Sequence, residues 1–180
     1  MRILYLGKDL EFSKFLGTSD EVLMTDESID KILLIKFNPD LIVSYNYRHI
    51  LNKEIFSYPK LGTINMHISY LPYNRGADPN LWSHLGGTPT GVSIHLMDEG
   101  IDTGPIICQK LIPLSEDLNL SESWQILQNQ IKELFKENFE IIKSGKYKTY
   151  FHNKNVSTYH QSKQRPSLEN GFETKIKYLS

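Results

Sequence analysis

The chain of 180 residues is long enough for one domain with a single core, because 39% of its residues are hydrophobic. A formal net charge of −1 gives no electrostatic reason to expect binding to nucleic acid or to a membrane surface. Cys108 is the single cysteine, which excludes an intrachain disulfide, and residues 1–6 are too short for a signal peptide. We therefore expect a protein that works in the cytoplasm.

Apolar runs alternate with helical patterns along the first part of the chain. The predicted strands cover residues 2–7, 21–24 and 40–45. One predicted helix covers residues 11–16, and a second begins at Ser28 or Asp30 and runs to Phe37. The run at 40–45 is almost continuously apolar, which is typical of a strand buried on both faces of a parallel sheet. Strands that alternate with helices indicate βαβ units. No GxGxxG follows the first strand, so we do not expect dinucleotide binding.

The second part of the chain is predicted to hold two strands, a long helix and a tail. Residues 91–97 and 105–111 flank a short acidic loop, as in a hairpin. Residues 119–144 carry an apolar stripe at helical spacing, with a capping box at the start and Gly145 after the end. We divide the chain into a main domain, residues 1–146, and a C-terminal extension, residues 147–180. The extension is expected to add a β-hairpin, to cover a sheet edge or to contact a second subunit.

Three polar residues between positions 61 and 109 are the strongest candidates for chemistry. Asn65 and His67 are two residues apart on a predicted strand, so their side chains point to the same side. Asp102 lies in a glycine-flanked loop that can bend back toward them. An amide can stabilise an oxyanion, an imidazole with a pKa near ~6.5 can pass a proton, and a carboxylate can orient that imidazole. This combination is suited to acyl transfer.

A metal site is the first alternative for the histidines. His84, His95 and Asp98 could join His67 around a metal ion. Their spacing matches no short zinc motif, and the chain has no pair of cysteines. We therefore expect no metal.

Four other residues have structural alternatives. Cys108 lies among apolar residues and is predicted to pack rather than to react. Trp82 and Trp124 are predicted to belong to the core. Arg75 lies in a loop, where it either binds an anionic substrate or is solvated.

Four motifs in a fixed order carry a resemblance to a known family. They are Asn65-Met66-His67, Ser69-Tyr70-Leu71-Pro72, Thr90-Gly91-Val92 and Asp98-Glu99-Gly100-Ile101-Asp102-Thr103-Gly104. The chain resembles the folate-dependent formyltransferases, the group that contains glycinamide ribonucleotide, methionyl-tRNA and sugar-nucleotide formyltransferases. The resemblance is good over residues 39–109 and vague on either side.

The resemblance implies an α/β fold with a Rossmann-like, mostly parallel sheet flanked by helices. It also implies that N10-formyltetrahydrofolate gives its formyl group to a primary amine, without a metal. Asn65 and His67 would stabilise the oxyanion, while His67 and Asp102 would manage the proton, the carboxylate through a held water. The pterin would lie against two backbone segments, Arg48, His49, Ile50 and Leu51, and Met97, Asp98, Glu99 and Gly100.

The chemical class of the acceptor is predicted from the features in which this chain differs from some branches of the family. The transfer-RNA enzymes carry a further domain and a basic surplus, and the ribonucleotide enzymes carry a loop that Gly7-Lys8-Asp9-Leu10 matches poorly. Residues 71–80, with Tyr47-Arg48-His49 upstream, resemble the sugar-nucleotide branch. We therefore expect the amine of a nucleotide-linked amino sugar, bound with the help of Tyr73, Arg75 and Asn80.

Several alternatives stay open at this point. Residues 7–39 are compressed relative to the family, which leaves the acceptor's identity open. Glycinamide ribonucleotide and methionyl-tRNA are the other amines, and a formyltetrahydrofolate hydrolase or a non-catalytic folate-binding module are the other functions. We expect neither a nucleic acid nor a membrane as a partner. The aromatic extension favours a homodimer.

Overall fold

The protein is described by a computed structural model of residues 1–179, and Ser180 lies outside the described residues. The strands are β1 (Arg2–Leu6), β2 (Glu21–Thr25), β3 (Leu41–Tyr45), β4 (Thr63–His67), β5 (Arg75–Gly76), β6 (Gly91–Leu96), β7 (Ile106–Leu111) and β8 (Tyr159–His160). The α-helices are α1 (Leu10–Leu16), α2 (Lys31–Phe37), α3 (Lys53–Phe56), α4 (Pro79–Leu85) and α5 (Leu120–Ser144). Short 3-10 helices cover Lys154–Val156, Ser162–Gln164, Gly171–Glu173 and Ile176–Tyr178.

Six strands form one mixed sheet in the order β2-β1-β3-β4-β6-β7. The first four are parallel to one another, while β6 runs antiparallel to both β4 and β7. The predicted α/β fold is confirmed, and its parallel part is the βαβ half of the chain. The chain runs outward from β1 to β2 and then returns to β3 on the other side of β1. In open α/β sheets, ligands bind at the carboxyl ends of the strands where the order reverses in this way.

Helices cover both faces of the sheet. On one face, Phe135 of α5 contacts Phe12 of α1, with ring centroids 5.1 Å apart, in a cluster of buried side chains that includes residues of β1, β3, β4, β6 and β7. On the other face, Leu34 of α2 and Ile55 of α3 pack against Leu4 of β1 in a smaller cluster. Burial on both faces explains why β1 and β3 are almost entirely apolar, with Arg2 and Ser44 as the exceptions.

The long helix α5 begins and ends as its sequence predicts. Asn119 Oδ1 accepts a hydrogen bond from the Glu122 N–H at 2.7 Å, and the Glu122 carboxylate accepts one from the Asn119 N–H at 2.8 Å. Gly145 follows the helix with a φ of 67°, a conformation that glycine adopts without strain. Among residues 1–179, α5 and the other helices all lack the combination of length and apolar character that crossing a membrane requires.

The segment between β4 and β6 contains more regular structure than its proline and glycine residues indicate. It contains the helix α4, which begins at Pro79, a position where the missing N–H of proline costs nothing. Pro79 and the glycines of this segment read as loop breakers, but here Pro79 starts a helix and Gly86 ends it. The Trp82 indole of α4 stacks on the His160 ring, with centroids 4.1 Å apart and planes 6° apart.

The C-terminal extension crosses the main domain rather than folding on itself. Within residues 147–179, β8 pairs in parallel with β5 of the main domain. Tyr150 forms an antiparallel bridge with Ile106 of β7. Contact with a second subunit stays a prediction.

Candidate active site

A cleft of about 1230 Å³ opens next to the segments that follow β1, β3 and β4. Asn65, His67 and Asp102, the three predicted catalytic residues, all line it. Asn65 and His67 share one face of β4, as the spacing of two residues requires. Asp102 reaches them from the loop between β6 and β7, where it takes a φ of 51°.

The three side chains converge on the Asp102 carboxylate. The Asn65 amide donates to Asp102 Oδ1 at 3.1 Å, and His67 Nδ1 lies 3.7 Å from Asp102 Oδ2. The carboxylate also accepts a hydrogen bond from the Gly76 N–H at 2.8 Å. An amide, an imidazole and a carboxylate therefore meet at one point of the cleft wall.

His67 is held as a neutral imidazole in one tautomer. Its Nε2 lies 3.1 Å from the Asn74 carbonyl oxygen, which can only accept, so Nε2 carries the proton. Burial lowers the pKa of His67 below its ordinary value, although the Asp102 carboxylate partly opposes this. At pH 7 the ring is neutral, and Nδ1, on the side of Asp102, is free to accept a proton.

Asp102 is ionised in the same environment. Burial by itself would raise its pKa, but the positive charge that His67 or His95 carries when it is protonated, together with the Gly76 N–H, holds the pKa of Asp102 well below its ordinary value. The site thus combines a neutral base with a fixed negative charge beside it. An imidazolium formed at His67 would be stabilised at once by that charge.

His95 is a fourth member of the cluster, and the sequence indicated it only as a metal ligand. Its Nδ1–H donates to the Leu96 carbonyl at 2.8 Å, so Nε2 faces Asp102 Oδ1 at 3.3 Å and the Asn65 amide nitrogen at 3.4 Å. Both N–H groups of Asn65 therefore have an acceptor within reach. If a reaction forms an oxyanion at this point, the oxyanion would take the place of His95 Nε2 as acceptor of one Asn65 N–H, because that contact is the longer of the two.

The position of His95 follows from strand register. Asn65 and His95 are paired residues of β4 and β6, which the sequence alone does not reveal. His84, the other histidine of the metal alternative, lies on α4 outside the cleft, with its Nε2 buried and without a hydrogen-bond partner.

Comparison with known proteins identifies the family. The sequence profile of the family described as "Formyl transferase" matches residues 17–138, which is more than half of the chain. The chain belongs to the formyl transferase family. The methionyl-tRNA formyltransferase of Clostridioides difficile (strain 630) is 42% identical over 120 residues, 66% of this chain and 38% of that protein. The enzyme of the same name from Syntrophus aciditrophicus is 43% identical over 103 residues, 57% of this chain and 32% of that protein.

This formyl transferase chain spans about two fifths or less of the length of those curated relatives. A solved structure matches it from end to end. The formyltransferase PseJ from Anoxybacillus kamchatkensis, in complex with UDP-4,6-dideoxy-4-formamido-L-AltNAc and tetrahydrofolate, is 37% identical with a TM-score of 0.91. The match covers 99% of this chain and 97% of PseJ. A sugar N-formyltransferase from Shewanella sp. FDAARGOS_354, 20% identical with a TM-score of 0.81 over 99% of this chain and 85% of that one, shares the fold.

The residues predicted to bind the pterin border the cleft of this formyl transferase, with one exception. Those that line it are Arg48, His49, Ile50, Leu51, Met97, Asp98 and Gly100. Glu99 does not line the cleft, and its carboxylate pairs with Lys53 at 2.7 Å on the surface. The backbone of this loop is shaped by Asp98, whose Oδ1 accepts from the Gly100 N–H at 3.0 Å.

The residues predicted to bind the acceptor are mostly occupied within the protein. Asn80 lines the cleft, but its amide donates to the Leu120 carbonyl at 3.0 Å and to Ser123 at 2.9 Å, tying α4 to α5. Arg75 and Tyr73 do not line the cleft. The Arg75 guanidinium instead donates to Ser157 at 2.8 Å and to the Ile101 carbonyl at 3.2 Å. These contacts give Arg75 a structural task, and substrate binding by the three residues stays a prediction.

The cleft has an aromatic wall that the sequence did not predict. Trp124, predicted to be a core residue, is 44% exposed and lines the cleft together with Phe172, 49% exposed, and Tyr159, 38% exposed. The apolar stripe of α5 includes Trp124, but a stripe does not reveal where the sheet beneath the helix ends. We call these three residues the aromatic wall.

Cys108 takes no part in the cleft. It packs beside the main core cluster, and burial raises the pKa of its thiol to about 12. The thiol is therefore protonated at neutral pH, as expected for a packing residue.

Proposed function

We propose that the protein transfers the formyl group of N10-formyltetrahydrofolate to the primary amine of a nucleotide-linked amino sugar. The observation that carries the proposal is the convergence of Asn65, His67 and Asp102 in one cleft of a formyl transferase family member. The electrostatic state of the cluster, a neutral imidazole next to a carboxylate, is the state that this reaction needs.

The chemistry begins when the amine nitrogen attacks the formyl carbon. The carbonyl oxygen becomes an oxyanion, and the Asn65 amide is the side-chain donor that stabilises it, which is worth about 10²–10³ in rate for one such donor. The nitrogen becomes cationic and must lose a proton. His67 Nδ1 accepts that proton, and Asp102 stabilises the imidazolium. The intermediate then breaks the bond between the formyl carbon and N10 of the folate, and the His67 imidazolium returns its proton to the leaving N10, so that His67 is neutral again.

The donor is proposed to lie against the segment after β3 and the loop after β6. Arg48, Ile50 and Met97 line this part of the cleft. Tetrahydrofolate in the PseJ complex supports a folate donor, because PseJ matches this chain from end to end. No step of the reaction requires a metal.

The acceptor is proposed to lie against the aromatic wall. Planar rings with exposed faces suit the base of a nucleotide, because every base has a π-face. The match to PseJ, whose complex holds a UDP-linked formamido sugar, supports the same acceptor class. Two of the three wall residues, Tyr159 and Phe172, belong to the C-terminal extension, beyond the residues 17–138 that the family profile matches.

Methionyl-tRNA is the second candidate acceptor, because the curated relatives with 42% and 43% identity are methionyl-tRNA formyltransferases. A formal net charge of −1 disfavours it, since binding to phosphate backbones depends on a surplus of cations. The two candidates differ in what the aromatic wall would contact, a base linked to a sugar or an aminoacylated RNA end.

A panel of acceptors tests the proposal. The protein is incubated with 10-formyltetrahydrofolate labelled with ¹³C in the formyl group and with UDP- and dTDP-linked amino sugars, methionyl-tRNA or glycinamide ribonucleotide. Mass spectrometry detects the added formyl group, and His67→Ala serves as the inactive control. We expect transfer to a nucleotide-linked 4-amino sugar. Transfer to methionyl-tRNA alone, or release of formate without any formamide, would refute the proposed acceptor.

A further inference from the structure

The C-terminal extension holds the backbone that orients both His67 and Asp102. That backbone is the segment from Pro72 to Ala77, which follows β4 and includes β5. The Asn74 carbonyl accepts from His67 Nε2 at 3.1 Å, and the Gly76 N–H donates to Asp102 Oδ2 at 2.8 Å. A shift of this segment would therefore move the partners of the base and of the carboxylate together. We call it the carrier segment.

Thr158 makes four hydrogen bonds to the carrier segment. Its hydroxyl oxygen accepts from the Asn74 N–H at 2.7 Å, and its O–H donates to Asn74 Oδ1 at 3.3 Å. Its backbone N–H donates to the Pro72 carbonyl at 3.2 Å, and its carbonyl accepts from the Arg75 N–H at 3.1 Å. One residue of the extension thus bonds to three residues of the carrier segment, Pro72, Asn74 and Arg75.

The carrier segment needs such support because its backbone is strained. Asn74 has a φ of 54°, in the left-handed region that residues other than glycine adopt less readily, asparagine being one of the few that do. The approach of the extension is close as well. A Cβ at position 76 would lie 2.3 Å from the His160 carbonyl oxygen, so the extension can pass at this distance over glycine but not over a larger residue.

We propose that Thr158 is a positioning residue of the active site, which acts on His67 through Asn74 and on Asp102 through Gly76. The inference rests on the proposed function for the roles of His67 and Asp102. The family profile ends at residue 138, so the groups that react come from the family domain while a group that sets their geometry comes from the extension. The extension is then part of the catalytic machinery and not an appendage.

The isosteric variant Thr158→Val tests the inference. It keeps the volume of the side chain but removes the acceptor of the Asn74 N–H, so we expect kcat to fall about tenfold, the effect of one well-placed hydrogen bond. The KM of the formyl donor should change less than twofold, because the pterin segments do not contact Thr158. Thr158→Ser restores the hydroxyl and should restore kcat. Thr174→Val is the matched control in the extension, since the Thr174 hydroxyl bonds only to the Gly171 carbonyl.

The pKa of His67 gives a readout that needs no acceptor. The groups that act on His67 are Asp102 and the Asn74 carbonyl, which raise its pKa, and His95, which lowers it. Loosening the Asn74 contact should lower the pKa of His67 in Thr158→Val, as measured by ¹⁵N NMR of the imidazole, and leave it unchanged in Thr174→Val.

The outcomes separate this inference from the proposed function. An unchanged kcat together with an unchanged His67 pKa in Thr158→Val would overturn the positioning role. A wild-type protein that formylates no acceptor refutes the proposed function, and the NMR measurement then decides the inference alone. If Thr158→Val does not fold, Thr158→Ala carries the same test, because it keeps both backbone hydrogen bonds of residue 158 and adds no bulk.

Discussion

At the scale of single residues, the site depends on two side chains whose environments push their charges in opposite directions. Burial keeps His67 neutral, and the groups around Asp102 keep that residue ionised. The same burial that removes the charge from the imidazole makes the carboxylate beside it more effective, because the local dielectric is low. The pair is thereby able to accept a proton at neutral pH without carrying one beforehand.

The pH dependence of kcat should reflect His67. Its pKa lies below the ordinary 6.5, so the ring is neutral above that pH and His67 contributes no pH dependence there. Below pH 6.5 an increasing fraction becomes protonated, and we expect kcat to decline on this acid side. A pH–rate profile between pH 4 and 8 measures it. An acid limb centred above pH 7 would contradict a buried neutral base.

Asp102→Asn should lower kcat by about 10²–10⁴-fold, the range of general acid–base catalysis. Asparagine tolerates the positive φ of position 102, so the fold should be kept. Because the carboxylate raises the pKa of His67, its removal should also move the acid limb to lower pH. Asp117→Asn, an exposed carboxylate paired with Lys177, is the control for loss of one negative charge. A variant with wild-type kcat would remove Asp102 from the mechanism.

At the scale of elements, the apolar stripe of α5 lies partly against the sheet and partly along the cleft. Phe135 and its neighbours are buried against the sheet, whereas Trp124, nearer the start of the helix, extends beyond the sheet into the cleft. The stripe is therefore continuous in sequence, but Trp124 borders the cleft while Phe135 belongs to the core.

Substitutions along α5 should separate these tasks. Trp124→Ala, like Phe172→Ala, should raise the KM of the nucleotide-linked acceptor about tenfold or more, as expected for one lost base stack, with little effect on thermal stability. Phe135→Ala should instead destabilise the fold by about 3–5 kcal/mol, measured by urea denaturation. Phe151→Ala, an exposed aromatic of the extension outside the cleft, is the control for KM. An unchanged KM in both wall variants would mean that the acceptor does not use the aromatic wall.

At the scale of the whole molecule, the extension contributes aromatic residues both inside and outside the cleft. Tyr159 and Phe172 line the cleft, while Phe151 and Tyr178, 74% and 72% exposed, do not line it. We call the surface that carries Phe151 and Tyr178 the outer face, and a contiguous apolar patch there would mark a protein–protein interface.

We expect the protein to form a homodimer through this outer face. Light scattering should give twice the chain mass of 20.9 kDa at micromolar concentration. The double variant Phe151→Ser and Tyr178→Ser should shift the mass to that of one chain while α5 and the cleft stay folded. A monomeric wild-type mass would contradict the homodimer.

The elements of this fold and the shared face of Asn65 and His67 were largely predictable because they depend on local patterns. The apolar runs of β1 and β3, the capping box of α5 and the spacing of Asn65 and His67 all follow from neighbours within a few residues of one another. The helix α4 was missed because Pro79 reads equally well as a loop residue and as the first residue of a helix.

What the sequence by itself determined was the kind of each main element, the three candidate catalytic side chains, which the structure brings together in one cleft, and the resemblance to a family. What only the tertiary structure decided was which distant groups satisfy one another: His95 reaches Asn65 through the register of β4 and β6, and Thr158 binds Asn74 from 84 residues away. The physical reason is that a residue's propensity and period act over one or two turns, whereas a buried polar group must find its hydrogen-bond partner wherever the folded chain brings one.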